Sequence, residues 1–441
     1  ELKTSDFVDR ADGVFESGTS AMEKRYISEI APDWISMNCS NCNQCSLYCP
    51  HGVIRPFILD ETEYYKAPES VRNRCVKAIG MDYYYIISAS VADCTGCGVC
   101  AKICPGMKGN KALVMDKIDP KEQDVFDYLD ANIKPKDIGN IFTTKNSQFN
   151  KPKFAFHGAC AGCGETAYIK LLTQLFGEHL IISNATGCSS IYGGSAPTTP
   201  YTIPWASSLF EDNAEYGYGM LIANNMMQKR IANIMSKNMD NENAELFVKW
   251  LENPNSYENT KEVYDNLTDN IPDELKEIKD YITMRNIWCI GGDGWAYDIG
   301  FSGIDHVLAS SDNIKILVLD SQVYSNTGGQ SSKSSPKGAI ASFASSGKRT
   351  NKKDLAQIAM SYPDAYVAQV SLGANPMQTI KAFKEANEHN GPAIIIAYTP
   401  CISHGIKGGM ENSVNMEKLA TASGYFLTFR RHPINGFTLD S

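Results

Sequence analysis

Eight of the 14 cysteines in this chain of 441 residues fall in two runs with the same spacing. Each run reads C-x2-C-x2-C-x3-C-P, and the runs begin at positions 39 and 94. Three thiolates at intervals of three residues bind one [4Fe–4S] cluster, and the fourth, at the start of a helix, ligates the other cluster of a pair. One predicted ligand set is therefore Cys39, Cys42, Cys45 and Cys104, and the other is Cys94, Cys97, Cys100 and Cys49.

Zinc and disulfide bonds are the alternatives for these runs. Two CxxC pairs can form a tetrahedral zinc site, but the third and fourth cysteines of each run have spacings that zinc fingers do not use. Disulfide bonds that cross-link loops do not require the same cysteine spacing twice, each time followed by a proline, Pro50 or Pro105. We therefore favour two iron–sulfur clusters. Cys75, alone in the interval between the runs, is expected to be a small buried apolar side chain.

A second kind of site is indicated by "CIGGDGWAYDIG", which follows a predicted strand and opens a helix. Gly292 and Gly294 permit a tight turn and a close approach of phosphate to the backbone. Asp293 offers a hard oxygen to Mg²⁺, and the Ser321 hydroxyl and the Val323 carbonyl, after the next strand, could supply two more ligands. GDG alone is a common turn. Together with the Asn-containing segment "LDSQVYSNTGGQ", it is typical of a thiamine diphosphate site.

Further cysteines occur in "GACAGCGET", "NATGCSS" and "YTPCISHG", each after a predicted strand. Since the carboxyl ends of parallel strands meet at one edge of a sheet, Cys160, Cys163, Cys188 and Cys401 are expected to converge. They could bind a third [4Fe–4S] cluster; zinc is the direct competitor, and the spacing does not exclude it. Cys289 lies inside a predicted strand and is expected in the core.

The elements that must position these residues are short apolar runs rich in Ile and Val, alternating with helical patterns. The runs are "KFAFHG", "HLIISN", "NIWCIGG", "KILVLDS", "AYVAQV" and "AIIIAY". This alternation predicts an α/β fold with a doubly wound parallel sheet, besides a small α+β ferredoxin-like domain. The predicted division is a lead-in segment 1–36, a two-cluster domain 37–115 with an insertion, a linker 116–150, a thiamine diphosphate-binding domain 151–400 with a helical insertion 214–285, and a C-terminal segment 401–441 that carries a cluster ligand.

The composition excludes some classes of function. A net charge of −9 argues against sequence-independent nucleic-acid binding, which needs a basic surface. No apolar run approaches the ~18 residues that span a bilayer, so no membrane contact is expected. The first residues, "ELKTSDFVDR", lack an initiator Met and a signal-peptide pattern, and the chain is expected to be a piece of a longer protein.

The segments "GACAGCGET", "SLFEDNAEYGYG", "GDGWAYDIG" and "VYSNTGGQ" resemble the pyruvate:ferredoxin oxidoreductase family, as does "ADGVFESGTSAMEKR" ahead of the first cysteine run. The resemblance covers essentially the whole chain and corresponds to the C-terminal part of that enzyme. It implies oxidative decarboxylation of pyruvate with coenzyme A to acetyl-CoA and CO₂. Electrons would pass one at a time through three [4Fe–4S] clusters to ferredoxin or flavodoxin. It also implies a homodimer of the full-length enzyme, in the cytoplasm or in a reducing anaerobic organelle such as a hydrogenosome.

The resemblance also implies roles for single residues. Glu165 and Cys188 would contact thiamine diphosphate, and Asn326, the second catalytic residue besides Cys188, would reach the pyruvate. Ser321 departs from the family, which often has Thr there, but the hydroxyl for Mg²⁺ is kept. The residues expected to line the cofactor are Gly292, Asp293, Gly294, Trp295, Ser321, Gln322, Val323, Tyr324, Ser325 and Asn326. The domain that activates the cofactor would lie upstream, so the chain alone is not expected to turn over.

Three alternatives remain open. The first is another 2-oxoacid:ferredoxin oxidoreductase, and the second is a fusion that passes electrons to NADP through a later flavin domain. The third is an electron-transfer module with a vestigial thiamine site. Asp293, Asn326 and Cys188 are all present, which argues against the third alternative.

Overall fold

The structure of the protein, a computed structural model, describes residues 3–5, 8, 11, 16–194 and 198–440. Parts of the predicted lead-in segment, and the last residue of the predicted C-terminal segment, lie outside the described residues. The chain divides into two compact units. Unit 1 comprises residues 1–175, 190–203 and 400–416, and unit 2 comprises residues 176–189, 204–399 and 417–441.

In the described residues, unit 1 contains a two-stranded and a three-stranded antiparallel sheet. Its strands are β1 (Ile30–Trp34), β2 (Ile54–Leu59), β3 (Val76–Lys77), β4 (Tyr84–Ala89) and β5 (Leu113–Lys117). β1 pairs with β5, and β4 pairs with β2 on one side and β3 on the other. The apolar residues of β2 and β4 are buried in the core of the unit, beside the cysteines of both runs.

The helices of unit 1 are short, and several carry the candidate ligands. They are α1 (Gln44–Leu47), α2 (Glu61–Lys66), α3 (Glu69–Arg72), α4 (Val99–Ile103), α5 (Lys121–Asn132) and α6 (Thr166–Phe176), whose last residue belongs to unit 2. Asp60 and Glu63 form a reciprocal capping box that starts α2. α1 contains Cys45 and α4 contains Cys100, so the two cysteine runs place equivalent residues on equivalent helices.

Two sequence-based expectations differ from the structure in this region. The segment 116–150, predicted as a linker, contains α5, whose Val125, Phe126 and Leu129 are buried in the core of unit 1. The predicted strand "KFAFHG" forms no part of a sheet and makes an isolated bridge between Phe154 and Tyr201. Phe156 has a left-handed backbone (φ 62), which interrupts an extended strand. Unit 2 begins at 176 and not at 151.

Unit 2 is built on one large sheet and a small hairpin. The strands are β6 (Leu180–Ala185), β7 (Trp205–Ser208), β8 (Asn286–Gly292), β9 (Lys315–Asp320), β10 (Val323–Tyr324), β11 (Gln330–Ser331), β12 (Tyr366–Val370), β13 (Ala393–Tyr398), β14 (Phe429–His432) and β15 (Gly436–Leu439). Within the described residues, eight of them form a sheet in the order β15-β14-β12-β13-β9-β8-β6-β7. Neighbouring strands are parallel among β12, β13, β9, β8, β6 and β7. β14 and β15 add an antiparallel edge beside β12.

The predicted doubly wound parallel sheet is therefore confirmed. β9 and β13 are buried along their whole length because helices cover both faces of a parallel sheet, as their continuous Ile, Leu and Val runs indicated. The antiparallel edge was not predicted, since the side chains of β15 are exposed and lack an apolar run.

The remaining helices follow β6 in the chain, and α7 and α15 are divided between the two units. They are α7 (Cys188–Gly193), α8 (Asn213–Lys237), α9 (Ala244–Glu252), α10 (Tyr257–Asn266), α11 (Asp273–Lys276), α12 (Phe301–Ala309), α13 (Leu355–Ala359), α14 (Pro376–Glu388) and α15 (Ser413–Ala422). α8 to α11 lie between β7 and β8, where a helical insertion was predicted, and they have a core of their own that includes Met235, Phe247 and Trp250. Among the described residues, no helix is both long and apolar enough to cross a membrane.

The sheet has a topological switch point between β6 and β8. β6 is followed in the chain by β7, its neighbour on one side, whereas β8 is followed by β9 on the other side. In open parallel sheets, ligands bind beyond the carboxyl ends of the strands at such a point. Cys188 lies three residues after β6, and Asp293 follows β8 directly.

Candidate cluster sites and diphosphate site

The two cysteine runs have the same backbone conformation at equivalent positions. Asn41 and Asn43 have left-handed φ angles of 53 and 59, and Gly96 and Gly98, at the equivalent positions of the second run, have 65 and 79. Asn and Gly are the residues that adopt this conformation most readily. These turns curl each run, and in the first run Cys39, Cys42 and Cys45 line one cavity.

The first predicted ligand set lies around one cavity. Cys39, Cys42, Cys45 and Cys104 all line it, although Cys104 comes from the second run. Trp34 and Tyr85 form part of its wall. Burial raises the pKa of the Cys45 thiol well above its usual value, and the charges of the three other cysteines raise it further. A buried thiol such as Cys45 ionises beside other cysteines only when a cationic group neutralises the charge.

In the second predicted ligand set, too, the fourth cysteine comes from the other run. Burial is the main cause that raises the pKa values of Cys94, Cys97 and Cys100, that of Cys94 to about 12. The charge of Cys49, from the first run, raises all three further. Cys49 is therefore close to the second run. Among the described residues, no three His, Cys, Asp or Glu side chains form a site for a single metal ion.

The third predicted set is divided between the units. Cys160 and Cys163 form a turn, with the amide of Cys163 donating to the carbonyl of Cys160 at 3.0 Å. The amide of Gly164 donates to Pro400 at 3.2 Å, and a Cβ at Gly164 would lie 2.4 Å from that oxygen, so this glycine lets the Cys163 loop approach Cys401. Cys160, Cys163 and Cys401 belong to unit 1, and Cys188 belongs to unit 2.

Glu165 and Lys170 are buried polar residues of unit 1. The hydroxyl of Tyr192 donates to Glu165 at 2.9 Å, and burial raises the pKa of Glu165 to about 7. Lys170, on α6, donates to backbone carbonyls of α1, and burial lowers its pKa to about 8. Glu165 was predicted as a cofactor contact. Tyr192 and Lys170 were missed, because nothing in their local sequence indicates burial.

In unit 2, the predicted Mg²⁺ ligands lie together at the carboxyl edge of the sheet. The Ser321 hydroxyl donates to Asp293 Oδ1 at 3.3 Å and lies 3.2 Å from the carbonyl oxygen of Val323. Asp293 is 2 % exposed. Ser332 donates to the other carboxylate oxygen of Asp293. Ser332 was not singled out from the sequence, since a serine in a polar loop carries no signal of its own.

The other predicted lining residues have different environments. A Cβ at Gly292 would make an ordinary contact, 3.9 Å from the carbonyl oxygen of Leu319, whereas a Cβ at Gly294 would lie 2.6 Å from both Phe210 and Tyr324. Gly294 is thus required for packing in addition to the turn. Trp295 is fully buried in the hydrophobic core of unit 2, and its indole nitrogen has no hydrogen-bond partner among the described residues.

The segment after β9 forms a hairpin that presents the remaining residues. Val323 and Tyr324 belong to β10 and pair with β11. Gln322 has a left-handed φ of 62 and accepts a hydrogen bond from Tyr425 at 2.6 Å. The hydroxyl of Ser325 lies 3.0 Å from that of Ser321, and Asn326 is exposed in the turn.

Two protein-family models match the chain, one over each candidate region. Residues 38–108, which contain both cysteine runs, match the 4Fe-4S dicluster domain. Residues 279–397, which contain the Asp293 and Ser321 segments, match the C-terminal TPP binding domain of thiamine pyrophosphate enzymes. The two kinds of cofactor domain predicted from the motifs are thus confirmed.

Curated relatives match almost the whole chain. A pyruvate-flavodoxin oxidoreductase from Klebsiella pneumoniae is 45% identical over 98% of this chain and 39% of its own length. A pyruvate:ferredoxin oxidoreductase from Moorella thermoacetica has the same identity and coverage. A pyruvate dehydrogenase [NADP(+)] from Euglena gracilis is 42% identical over 97% of this chain and 25% of its own length. The resemblance predicted from the motifs is confirmed, and the chain spans about two-fifths of the first two relatives.

Proposed function

We propose that this chain is the cofactor-binding part of a pyruvate:ferredoxin oxidoreductase. Such an enzyme converts pyruvate and coenzyme A to acetyl-CoA and CO₂ and delivers electrons to ferredoxin or flavodoxin. The observation that carries the proposal is the position of Cys104, which lines one cavity with Cys39, Cys42 and Cys45. This exchange of the fourth cysteine is the ligand pattern of a two-cluster ferredoxin, and it occurs in a chain with a thiamine-type site.

The residues of unit 1 suit iron–sulfur clusters better than structural zinc. Each set combines three cysteines of one run with the fourth cysteine of the other, whereas zinc ribbons use two CxxC pairs. Buried thiols with raised pKa values need several neutralising cations, which a cubane supplies. The assigned ligands are Cys39, Cys42, Cys45 and Cys104 for one cluster and Cys94, Cys97, Cys100 and Cys49 for the other.

For the third cluster we propose Cys160, Cys163, Cys188 and Cys401. The support comes from unit 1, where the Gly164–Pro400 hydrogen bond joins the two loops that carry three of these cysteines. Cys188, in unit 2, begins α7 near the switch point of the sheet.

The group at the end of β8 and β9 suits Mg²⁺ and a diphosphate. A carboxylate, a hydroxyl and a backbone carbonyl are hard oxygen donors, and Mg²⁺ prefers such ligands together with phosphate oxygens. Thiamine diphosphate, when bound, supplies an electron sink for decarboxylation. Asp293, Ser321 and Val323 would hold the metal, and the absence of a side chain at Gly292 would let the phosphates approach the backbone.

The resemblance implies roles for two further residues. Glu165 is buried against Tyr192 with a pKa of about 7, so it can hold or release a proton at neutral pH. Asn326, exposed in the β10–β11 turn, would orient the pyruvate through its side-chain amide. Exclusion of water from the buried Asp293 strengthens its interaction with the metal.

The test is an anaerobic assay of iron, sulfide and thiamine in the holoprotein that contains this chain. We expect ~12 iron atoms and ~12 sulfides per chain, from three four-iron clusters, and one thiamine diphosphate. Zinc in place of iron, or the absence of thiamine diphosphate, would contradict the proposal. Replacing Cys104 with Ser should remove the signal of the cluster bound by Cys39, Cys42 and Cys45.

A second candidate differs only in the electron acceptor. The similarity to the Euglena gracilis pyruvate dehydrogenase [NADP(+)] favours a fusion in which NADP is reduced. Pyruvate-dependent reduction of NADP by the full-length protein, without added ferredoxin, would select this candidate. Reduction of ferredoxin or flavodoxin alone would select the first.

A further inference from the structure

Lys170 is a lysine in the interior of unit 1, with 1 % of its surface exposed. Its ammonium group donates to the backbone carbonyls of Ser46 and of Leu47, the latter at 3.0 Å. These carbonyls lie at the C-terminal end of α1, where a cation is favoured, and that of Ser46 also accepts from the amide of Cys49 at 3.1 Å. In the sequence they lie between Cys45 and Cys49, which are predicted ligands of different clusters.

Lys111 makes the equivalent contacts in the second run. Its ammonium group donates to the carbonyls of Ala101 and of Lys102, the latter at 2.9 Å. Ala101 follows Cys100 as Ser46 follows Cys45, so the two lysines occupy matching positions in the two halves of the repeat. Lys111 comes from the same run's own loop, whereas Lys170 comes from α6, more than a hundred residues away.

The two lysines differ in burial. Lys111 is exposed to solvent, and Lys170 is enclosed by unit 1. Water and salt screen a charge at the surface, while the same charge in the interior acts through a much lower effective dielectric constant. Solvent therefore screens the ammonium group of Lys111 strongly and that of Lys170 weakly.

We propose that the buried ammonium of Lys170 raises the reduction potentials of the two ferredoxin-type clusters, and that Lys111 has no such effect. The proposal rests on the proposed function, since it requires clusters at both cysteine runs. Reduction adds a negative charge to a cluster, and a fixed positive charge nearby stabilises the reduced form. Lys170 lies beside one ligand of each cluster, so both potentials rise. It is a positioning residue, because it acts through the electrostatic field at the clusters.

The experiment is an EPR-monitored redox titration of the anaerobically purified holoprotein and of three variants. Lys170→Met removes the charge and keeps the length of the apolar stem. Lys170→Gln keeps a hydrogen-bond donor without the charge. Lys111→Met is the matched control, because it removes the same two hydrogen bonds at the equivalent helix end. Iron content is measured for each protein before the titration.

Both neutral variants at Lys170 are expected to lower the midpoint potentials. The equilibrium constant for one-electron reduction should fall roughly tenfold, which is a shift of about 59 mV. Lys111→Met should retain the wild-type potentials. A role in hydrogen bonding alone would make the two Met variants alike and leave the potentials unchanged.

Three results would overturn the proposal: unchanged potentials in both Lys170 variants, an equal shift in Lys111→Met, or loss of iron from both neutral Lys170 variants, which would assign Lys170 a purely structural role. Failure of the proposed function gives a different result. In that case the wild-type holoprotein itself would lack iron and the EPR signals of reduced clusters.

Discussion

Asp293 is the acidic residue on which the diphosphate site of unit 2 depends. It accepts hydrogen bonds from Ser321 and Ser332 and is almost fully buried. We expect Asp293→Asn to keep this shape while losing the charge that binds Mg²⁺. The affinity for thiamine diphosphate in the presence of Mg²⁺ should fall by more than about 100-fold, since even the outer partners of a metal ligand contribute about 10- to 100-fold. Isothermal titration calorimetry measures this affinity.

The control for this change is Asp298→Asn. Asp298 lies one turn further along the chain and accepts from the amide of Lys333 at 3.1 Å. It carries the same charge close to the same strand end, but it is not a predicted ligand. Wild-type affinity in Asp293→Asn, or an equal loss in Asp298→Asn, would contradict the assignment.

Lys315, the first residue of β9, predicts a pH dependence of stability. It is fully buried and donates to the carbonyls of His389 and of Gly391, the latter at 3.0 Å. Burial lowers its pKa from 10.5 to about 7. Between these two values the unfolded chain binds a proton that the folded chain does not, so stability rises with pH in this window.

The free energy of unfolding of the wild type should therefore increase relative to Lys315→Met as the pH is raised above about 7. Denaturant titrations at several values between pH 7 and 9 measure the difference, with a rise of the order of 1 kcal/mol per pH unit. Lys384→Met, at an exposed lysine of α14, is the control and should show a constant difference. Parallel pH profiles for wild type and Lys315→Met would show that Lys315 is not neutral in the folded state.

Helix α5 belongs to the core of unit 1, although most of its residues are polar or charged. Phe126 is 1 % exposed and packs with its ring edge toward Phe57 and Phe156. Phe126→Ala should destabilise unit 1 by ~3 to 5 kcal/mol, the usual range for a buried Phe. Denaturant unfolding followed by the visible absorbance of the clusters measures this effect.

Asp124→Ala, on the exposed face of the same helix, is the control and should change the stability little. If 116–150 were a linker outside the core, the two substitutions would behave alike. A clear difference between them would place α5 in the unit that holds the clusters.

For the molecule as a whole, the chain covers 39% of the length of its pyruvate oxidoreductase relatives. We expect the 441-residue chain, expressed by itself, to bind its clusters but to form no acetyl-CoA from pyruvate. The reason is that the resemblance assigns activation of the thiamine cofactor to a domain outside this chain. Assays of iron and of pyruvate-dependent acetylation of coenzyme A, with the full-length protein as control, test this expectation. Turnover by the isolated chain would contradict it.

Local spacing was sufficient to predict much of this protein. The cysteine runs indicated a pair of cluster sites and the exchange of Cys49 and Cys104, and the GDG segment indicated the ligands around Asp293. The apolar runs predicted the parallel sheet and the helical insertion. The parallel sheet and the two kinds of cofactor domain are confirmed, because strand burial and cofactor motifs depend on residue types a few positions apart, whereas the individual ligands stay predictions.

The tertiary structure decided what depends on partners distant in the chain. The burial of Lys170 against Ser46 and Leu47 and the contact of Ser332 with Asp293 join segments that carry no common local pattern. The division of the chain at 176 and the inclusion of α5 in unit 1 likewise follow from long-range packing. A lysine or a serine has the same sequence signature at the surface and in the interior, and only the fold determines which carbonyls or carboxylates it must satisfy.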